Sequence, residues 1–369
     1  ALYVRKVNVL RLSEACRGVL GNLVDGPIGK IIDIIVIFSI VGGVGTSLGL
    51  SVPLVSKLFQ SMFGLQDSFG LQMVILAAWI AMIAWSVYKG IQTLSNINAA
   101  LALFLLVFVL FASSTIFILN LWSNSFGLLI TNFFRIAFWT DPIAKSGFPQ
   151  SWTIFYWAWW IAYAPMMGLF VARISRGRTI KDIILNGLLW GSFGCWAFFA
   201  IWGGYALHLD INGTVDLQSI LSQQGIPATV VAVLQTLPAS NIIIPLFTLL
   251  CFIFLATTVD SSAYMLAAVC TKEISGYQEP ARWNRILWTL LLGLVGVGLL
   301  SMGGLKVVQT STVLVALPMI PVLFIMSLSL LRWVKEDFHY ELAPKIVANT
   351  DKSSKNESAT TLSEKNSTI

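Results

Sequence analysis

Charged residues are scarce in this chain, since Asp, Glu, Lys and Arg together account for 11% of its 369 residues. Soluble domains carry about 25% charged residues, so this composition excludes a soluble globular protein. Histidine is limited to His208 and His339, and the four cysteines lack the paired spacing of a disulfide framework or a metal motif. No nucleophile, base and orienting acid occur together, so the sequence predicts neither an enzyme nor a bound cofactor.

Long apolar runs dominate what remains, because 57% of the residues are hydrophobic and the mean hydropathy is +0.81. A helix needs about 20 predominantly apolar residues to cross a bilayer, and eight segments approach that length. These predicted spans are residues 34–55, 73–87, 99–121, 154–171, 183–207, 242–269, 286–301 and 312–331. Residues 122–139 are interpreted as an interfacial helix, because Asn132 and Arg135 interrupt them. The sequence therefore predicts an all-α polytopic membrane protein embedded in the lipid bilayer.

The positions of the basic residues predict the orientation of these spans, because Lys and Arg are retained on the cytoplasmic side of short loops. With a cytoplasmic N-terminus, the inside segments contain all of the 23 Lys and Arg residues except Lys57, Arg135, Lys145 and Lys306. We therefore expect a multi-pass protein of the plasma (inner) membrane with both ends of this chain in the cytoplasm. The net charge of +6 then reflects topology and not a nucleic-acid partner.

Composition also divides the chain into three parts. Residues 1–30 are predicted to form a cytoplasmic basic linker, and residues 31–334 the transmembrane domain. Residues 335–369 are predicted to be a cytoplasmic and mostly disordered tail, because Ser, Thr, Asn, Lys and Glu dominate it without apolar periodicity.

The fourth predicted span is unusual for its aromatic residues and its lack of charge. At about 100° per residue, five of its rings fall within one arc of a helix. They are Trp152, Tyr156, Trp159, Trp160 and Tyr163. Such a wall of ring faces attracts a cation, and a quaternary ammonium group suits it best because that group donates no hydrogen bonds. Packing in a helical core and anchoring at the membrane interface are the alternatives.

The first span is rich in small and hydroxyl residues. It contains Gly42, Gly43, Gly45, Gly49, Thr46 and Ser47. Small residues let neighbouring helices approach closely, and hydroxyl groups bond across a helical bundle. The pattern indicates tight packing or, alternatively, a contribution to an ion or gating site.

The aromatic string of residues 152–160, followed by the basic segment 172–179, resembles the signature of the betaine/choline/carnitine transporter family. Shorter stretches support the resemblance. They are residues 46–50, 140–145, 147–150 and 303–306. The resemblance implies a secondary transporter with inverted repeats, assembled as a homotrimer and built from twelve spans, of which about eight are expected here. By this pattern the chain begins just before the fifth span of the family.

The resemblance also assigns roles to residues of the aromatic span. Trp159, Trp160 and Tyr163 match the positions that hold the trimethylammonium group. Trp152 matches a gate position further out along the same face. The basic residues Arg173 and Arg176 correspond to intracellular gating contacts.

Two residues beyond the rings are expected to affect the helix itself. Pro165 and Gly168 are predicted to break helical hydrogen bonding and free carbonyl groups near the middle of the membrane. A simple kink is the alternative.

The ion requirement depends on other spans. Thr257 and Thr258 resemble the adjacent hydroxyl residues of sodium-coupled members, and hydroxyl oxygens suit a hard cation. Asn98 stands where carnitine exchangers carry an arginine, so a bound ion is expected to be needed there. Asp260 is an acid inside an apolar span, which predicts a structural or sodium-proximal role or a hydrogen bond between helices.

These observations predict sodium-coupled import of betaine, carnitine or choline, with sodium as the coupling ion and no other metal. A sodium-independent exchanger of carnitine and butyrobetaine is the alternative, since the sequence of residues 140–150 most resembles that of such exchangers. A passive cation channel is disfavoured, because a pore requires rings of acids or carbonyls and Asp260 is nearly the only deep acid.

Overall fold

The computed structural model describes residues 11–66, 68–89, 92–175, 177–271, 279–303 and 305–337. The regular secondary structure within these ranges is helical, which confirms the predicted all-α fold class. The first ten residues of the predicted linker and the predicted tail from residue 338 lie outside the described residues. The described chain divides into two compact units, one of residues 11–34 and 320–337 and one of residues 35–319.

Sixteen α-helices are defined within the described ranges. The first eight are α1 (Leu12–Ala15), α2 (Arg17–Leu20), α3 (Pro27–Phe63), α4 (Phe69–Lys89), α5 (Gln92–Ala112), α6 (Thr115–Thr131), α7 (Phe133–Ala137) and α8 (Ile154–Ile174). The others are α9 (Ile180–Phe198), α10 (Gly204–Ile211), α11 (Leu217–Gln224), α12 (Ile226–Gln235), α13 (Ser240–Val269), α14 (Arg282–Met302), α15 (Leu305–Ala316) and α16 (Met319–Asp337). Two π-helical turns adjoin them, Pro149–Thr153 before α8 and Phe199–Gly203 between α9 and α10.

Six helical stretches in the described part of the chain are long and apolar enough to cross a membrane, and a seventh results if α15 and α16 count as one span. The six are Pro27–Phe63, Leu94–Ala112, Pro149–Ile174, Ile180–Ile211, Ser240–Val269 and Arg282–Met302. The protein is therefore a multi-pass membrane protein. Eight spans were predicted, and the difference comes from predicted spans that are short or divided.

The predicted span 99–121 is wrong as a single helix. α5 ends at Ala112 and α6 begins at Thr115. The last residues of the predicted span therefore belong to the same helix as the start of the predicted interfacial helix 122–139. The hydroxyl groups at the junction explain the break, because Ser113 Oγ donates to the carbonyl of Val109 at 2.5 Å and Thr115 Oγ1 to that of Leu110 at 2.7 Å. Such bonds give the backbone an alternative to a continuing helix.

The predicted span 312–331 is also divided, because α15 ends at Ala316 and α16 begins at Met319. Pro318 lies in the turn between them. A proline has no backbone N–H and disfavours helical geometry in the residue before it.

Residues 209–238, between the fifth and sixth predicted spans, form two short helices. Asp216 caps α11, since its Oδ1 accepts from the backbone N–H of Ser219 at 2.9 Å and its Oδ2 from the Ser219 hydroxyl at 2.6 Å. Gly225 ends α11 with a φ of 80°, a left-handed conformation that glycine adopts without a steric cost.

In the unit of residues 35–319, α13 is the central helix, and it packs against α4, α5, α8, α12 and α14. α15 packs along α8, and α14 packs along α4. This arrangement places the aromatic helix α8 between α13 and α15, where its rings and its C-terminal end have defined neighbours.

In the unit of residues 11–34 and 320–337, the N-terminal segment is joined to α16 at Ser329. The Ser329 hydroxyl donates to the carbonyl of Cys16 and accepts from the N–H of Val19, both at 3.0 Å. A Cβ at Gly18 would lie 2.8 Å from the carbonyl oxygen of Ser329, so this approach of backbones requires glycine.

Candidate functional site

The aromatic rings of α8 and of the π-helical turn before it form a continuous row. The ring centroids of Trp152 and Tyr156 lie 6.1 Å apart, those of Tyr156 and Trp159 6.0 Å, and those of Trp159 and Tyr163 6.2 Å. Phe155 joins the row, with its centroid 5.5 Å from Tyr156 and 5.6 Å from Trp159. Four of the five predicted rings are therefore brought together.

Trp160 does not belong to this row, so the expectation of a single wall of five rings is wrong for that residue. Its side chain is 64% exposed on the surface of the described chain, whereas Phe155 is buried. The physical reason is its angle on the helix. Phe155 lies about 60° to one side of Trp152 and Trp160 about 80° to the other, and the helix turns the side of Phe155 inward.

A cavity of about 900 Å³ adjoins the first part of the row. Its wall comes from the C-terminal half of α3, the start of α4, the π-helical turn, α8, the turn between α11 and α12, the end of α14 and α15. Its side-chain lining includes Trp152, Phe155, Tyr156, Phe69, Ser51 and Gln72. Among the described residues that line it, none is charged. This cavity can therefore attract a cation by ring faces and has no fixed counter-ion for it.

α3 holds the polar groups of the next two rings. The indole Nε1 of Trp159 donates to the carbonyl of Gly43 at 3.3 Å, and the Tyr163 hydroxyl shares a hydrogen bond of 2.5 Å with Ser47 Oγ. The glycines of α3 permit this close packing, because a Cβ at Gly43 would lie 3.1 Å from the ring of Tyr163. A Cβ at Gly42 would meet Val315 of α15 at 2.3 Å.

The predicted helix break at Pro165 and Gly168 is not observed, since α8 is helical from Ile154 to Ile174. Proline lacks one N–H, so only the single bond to the carbonyl of Ile161 is lost. Neighbouring packing holds the helix around that gap, because Pro165 and Ala162 are buried. The irregular turn of this helix lies instead at Pro149–Thr153.

Thr257 and Thr258 are half-buried neighbours on α13. Each hydroxyl donates to the carbonyl of Phe254 at 2.9 Å. Both oxygens keep lone pairs that can coordinate a cation. No charged residue contributes to either of these hydrogen bonds.

Asn98 is buried on α5, and its Oδ1 has no hydrogen-bond partner among the described residues. α5 packs against α13, the helix that carries the two threonines. A neutral amide therefore occupies this position with an oxygen that is available as an acceptor.

Asp260 forms an ion pair with Arg285 of α14, whose Nη2 lies 3.2 Å from Oδ1 and 3.3 Å from Oδ2. The guanidinium of Arg285 also lies over the ring of Tyr264 at 5.2 Å, and that of Arg173 approaches the same ring at 4.7 Å. The structure thus joins Asp260 to the C-terminal end of α8 through α13 and α14. Arg176, predicted to act beside Arg173, lies outside the described residues.

Several residues of this site were missed in the sequence. Phe155 stands inside the aromatic string, but its place in the row depends on which face of α8 is covered. Ser39 was also missed, although its four-residue spacing to Gly43 and Ser47, both noted in the glycine-rich first span, places all three on one face of α3. Arg285 lies in the polar first turn of α14, directly before the predicted span 286–301, so its position in the sequence does not indicate a pairing with Asp260.

One comparison with known proteins identifies the family. A family model described as BCCT, betaine/carnitine/choline family transporter, matches residues 1–339. The match covers the aromatic helix, the predicted ion residues on α13 and the described parts of both compact units. Membership implies secondary transport of betaine-, carnitine- or choline-type compounds across a membrane. This chain belongs to the BCCT (betaine/carnitine/choline) transporter family.

Proposed function

We propose that this protein imports quaternary ammonium compounds by alternating access and couples the import to sodium. The observation that carries the proposal is the cavity beside Trp152, Phe155 and Tyr156, whose described lining is aromatic and uncharged. An onium group within about 6 Å of a ring gains about 0.5 to 2 kcal/mol from that ring, and more where water is excluded. A hard metal ion would instead require oxygen ligands.

The row of rings also supplies a path for the substrate. Trp152 and Tyr156 line the cavity, and Trp159 and Tyr163 continue the row along α8. Because neighbouring centroids are about 6 Å apart, a cation leaving one ring face is already within range of the next. For Trp160 to bind the trimethylammonium group, its exposed face would have to meet the substrate. That role stays a prediction.

Uptake of labelled betaine, carnitine and choline into proteoliposomes tests the substrate class. Trp152→Leu and Trp159→Leu are each expected to weaken affinity for a trimethylated substrate by at least about fivefold, equivalent to about 1 kcal/mol. Trp157→Leu is the matched control, because Trp157 lies on the same helix but is 68% exposed and outside the row. Unchanged affinity in both test variants would place the substrate elsewhere.

Sodium coupling is proposed to reside at Thr257 and Thr258. Support comes from two adjacent hydroxyl oxygens that retain lone pairs, and from a neutral Asn98 in place of a fixed positive charge. Thr258→Leu is expected to abolish stimulation of uptake by sodium, whereas Thr258→Ser, which keeps the hydroxyl, is expected to retain it. Stimulation that survives the leucine variant would show that the ion binds elsewhere.

The same vesicles distinguish the exchanger. Uptake that requires substrate inside the vesicle and ignores a sodium gradient would identify exchange of carnitine-type compounds. Uptake that is linear with concentration and does not saturate would instead identify a passive pore.

The setting of the transporter is part of the proposal. We place it in the plasma membrane, with both ends of this chain in the cytoplasm, because the basic residues are distributed in that way. We further propose that it assembles as a homotrimer and that Arg173 and Arg176 contribute to an intracellular gate. The cation–π contact of Arg173, at the C-terminal end of α8, with the ring of Tyr264 on α13 supports the proposed gate. Protease access to the C-terminal tail in oriented vesicles and the mass of the detergent-solubilised protein test the orientation and the trimer.

A further inference from the structure

α3 and α8 are joined by hydrogen bonds at three successive turns of α3. Ser39 Oγ donates to the carbonyl of Ala162 at 3.3 Å, and the Gly43 carbonyl accepts from Trp159 Nε1 at 3.3 Å. At the next turn, Ser47 Oγ bonds to the Tyr163 hydroxyl at 2.5 Å. Two of these three bonds engage the polar group of an aromatic ring in the row.

The consequence for a ligand follows from the few hydrogen-bonding groups of these side chains. Tryptophan has one donor, its indole N–H, and tyrosine has one hydroxyl. The donor of Trp159 is used by Gly43, and the hydroxyl of Tyr163 is held against α3 by Ser47, whichever oxygen donates. Both rings therefore have their polar group at α3 and present π faces to a ligand.

Packing holds the ring of Tyr163 in the same place. A Cβ at Gly43 would lie 3.1 Å from Cδ2 and 3.3 Å from Cε2 of Tyr163, so the ring lies directly against the α3 backbone. The position of this ring is thus fixed both by a hydrogen bond at its tip and by contact along its edge.

We propose that Ser47 is a positioning residue that makes the site selective for fully methylated ammonium groups. By holding the Tyr163 hydroxyl on α3, it withholds the acceptor that an N–H-bearing ammonium group would use. A quaternary group needs no acceptor and loses nothing. This inference rests on the proposed function, in which the onium group meets this row of rings.

The test compares trimethylglycine with N,N-dimethylglycine, which differ by one methyl group and by the N–H that replaces it. Binding of each is measured by tryptophan fluorescence on the protein in lipid nanodiscs. In Ser47→Ala the Tyr163 hydroxyl is released, and the preference for trimethylglycine is expected to fall by about fivefold, the effect of one hydrogen bond of about 1 kcal/mol. Affinity for trimethylglycine itself is expected to change less than that for dimethylglycine.

Two further variants separate this role from a merely structural one. Ser39→Ala also removes a bond between α3 and α8 but frees no ring hydroxyl, so its preference is expected to match the unaltered protein. Adding Tyr163→Phe to Ser47→Ala removes the hydroxyl and is expected to restore the preference. Should Ser47→Ala not fold, Ser47→Cys gives the same measurement, because its thiol is only a weak hydrogen-bonding group.

The outcomes are distinct. A preference that is unchanged in the Ser47 variant, or that Tyr163→Phe does not restore, overturns the role of Ser47 while leaving the proposed function in place. Failure of the unaltered protein to bind either compound overturns the proposed function, and the role of Ser47 with it.

Discussion

The ion pair between Asp260 and Arg285 leads to a prediction about stability. The side chains are only 12% (Asp260) and 11% (Arg285) exposed, and the carboxylate and guanidinium are 3.2 Å apart. We expect that neutralising one partner destabilises the protein more than neutralising both. The single changes are Asp260→Asn and Arg285→Gln, and the double variant combines them.

The magnitude follows from the separation and the burial. At an effective dielectric constant of about 20, unit charges 3.2 Å apart attract by about 5 kcal/mol. Removing each ion from water costs several kcal/mol, so the pair contributes little net stability. Either single variant leaves one buried charge without this attraction and is expected to lose about 3 to 5 kcal/mol. The double variant replaces the ions by two amides and is expected to lose clearly less than the sum of the singles.

Unfolding in detergent at neutral pH, followed by the fluorescence of the 14 tryptophans, measures these differences. Asp182→Asn is the control, because Asp182 is an exposed acid in the first turn of α9. Losses that simply add in the double variant would refute the reasoning, since they would show that the two charges do not act on each other.

Two other predictions concern α3 and the cap of α11. Gly42→Ala is expected to lower the unfolding midpoint by the equivalent of about 1 to 3 kcal/mol, because the new Cβ would lie 2.3 Å from Val315. Gly168→Ala is expected to raise the midpoint slightly, because its new Cβ meets open space and alanine favours a helix more than glycine does. A higher midpoint for Gly42→Ala than for Gly168→Ala would contradict the packing of α3. The hydrogen bonds from the hydroxyl and N–H of Ser219 lower the pKa of Asp216. The cap is therefore fully formed above the usual pKa range of an aspartate. It is lost as the pH falls through the lowered pKa. Amide hydrogen exchange of residues 217–224, corrected for intrinsic rates between about pH 6 and about pH 3, should show that loss in the unaltered protein and not in Asp216→Asn.

The all-α architecture could be predicted from the sequence, because apolar length is a property of composition alone. The aromatic row could be predicted only in part. Angular spacing identifies residues that share an arc, but it does not identify the centre of the buried face. The position of that centre depends on where α3 packs. Phe155 lies on the buried face, whereas Trp160 is exposed.

Breaks in helices were the other difficulty. Ser113 and Pro318 both interrupt predicted spans, whereas Pro165 leaves α8 intact. A proline or serine permits a break, but local packing decides whether one forms. The bond between Asp260 and Arg285 joins residues of two different helices, so no local pattern could predict it.

The uncharged wall of the cavity also has a consequence for how the protein responds to salt. Mobile ions weaken attraction between charges across a Debye length of about 8 Å at physiological ionic strength. The described lining contains no charged side chain whose attraction they could weaken, and a cation against a ring sits too close for ions to intervene. At a constant sodium concentration, affinity in this cavity should therefore stay nearly constant as the concentration of other salts rises from dilute to strongly saline.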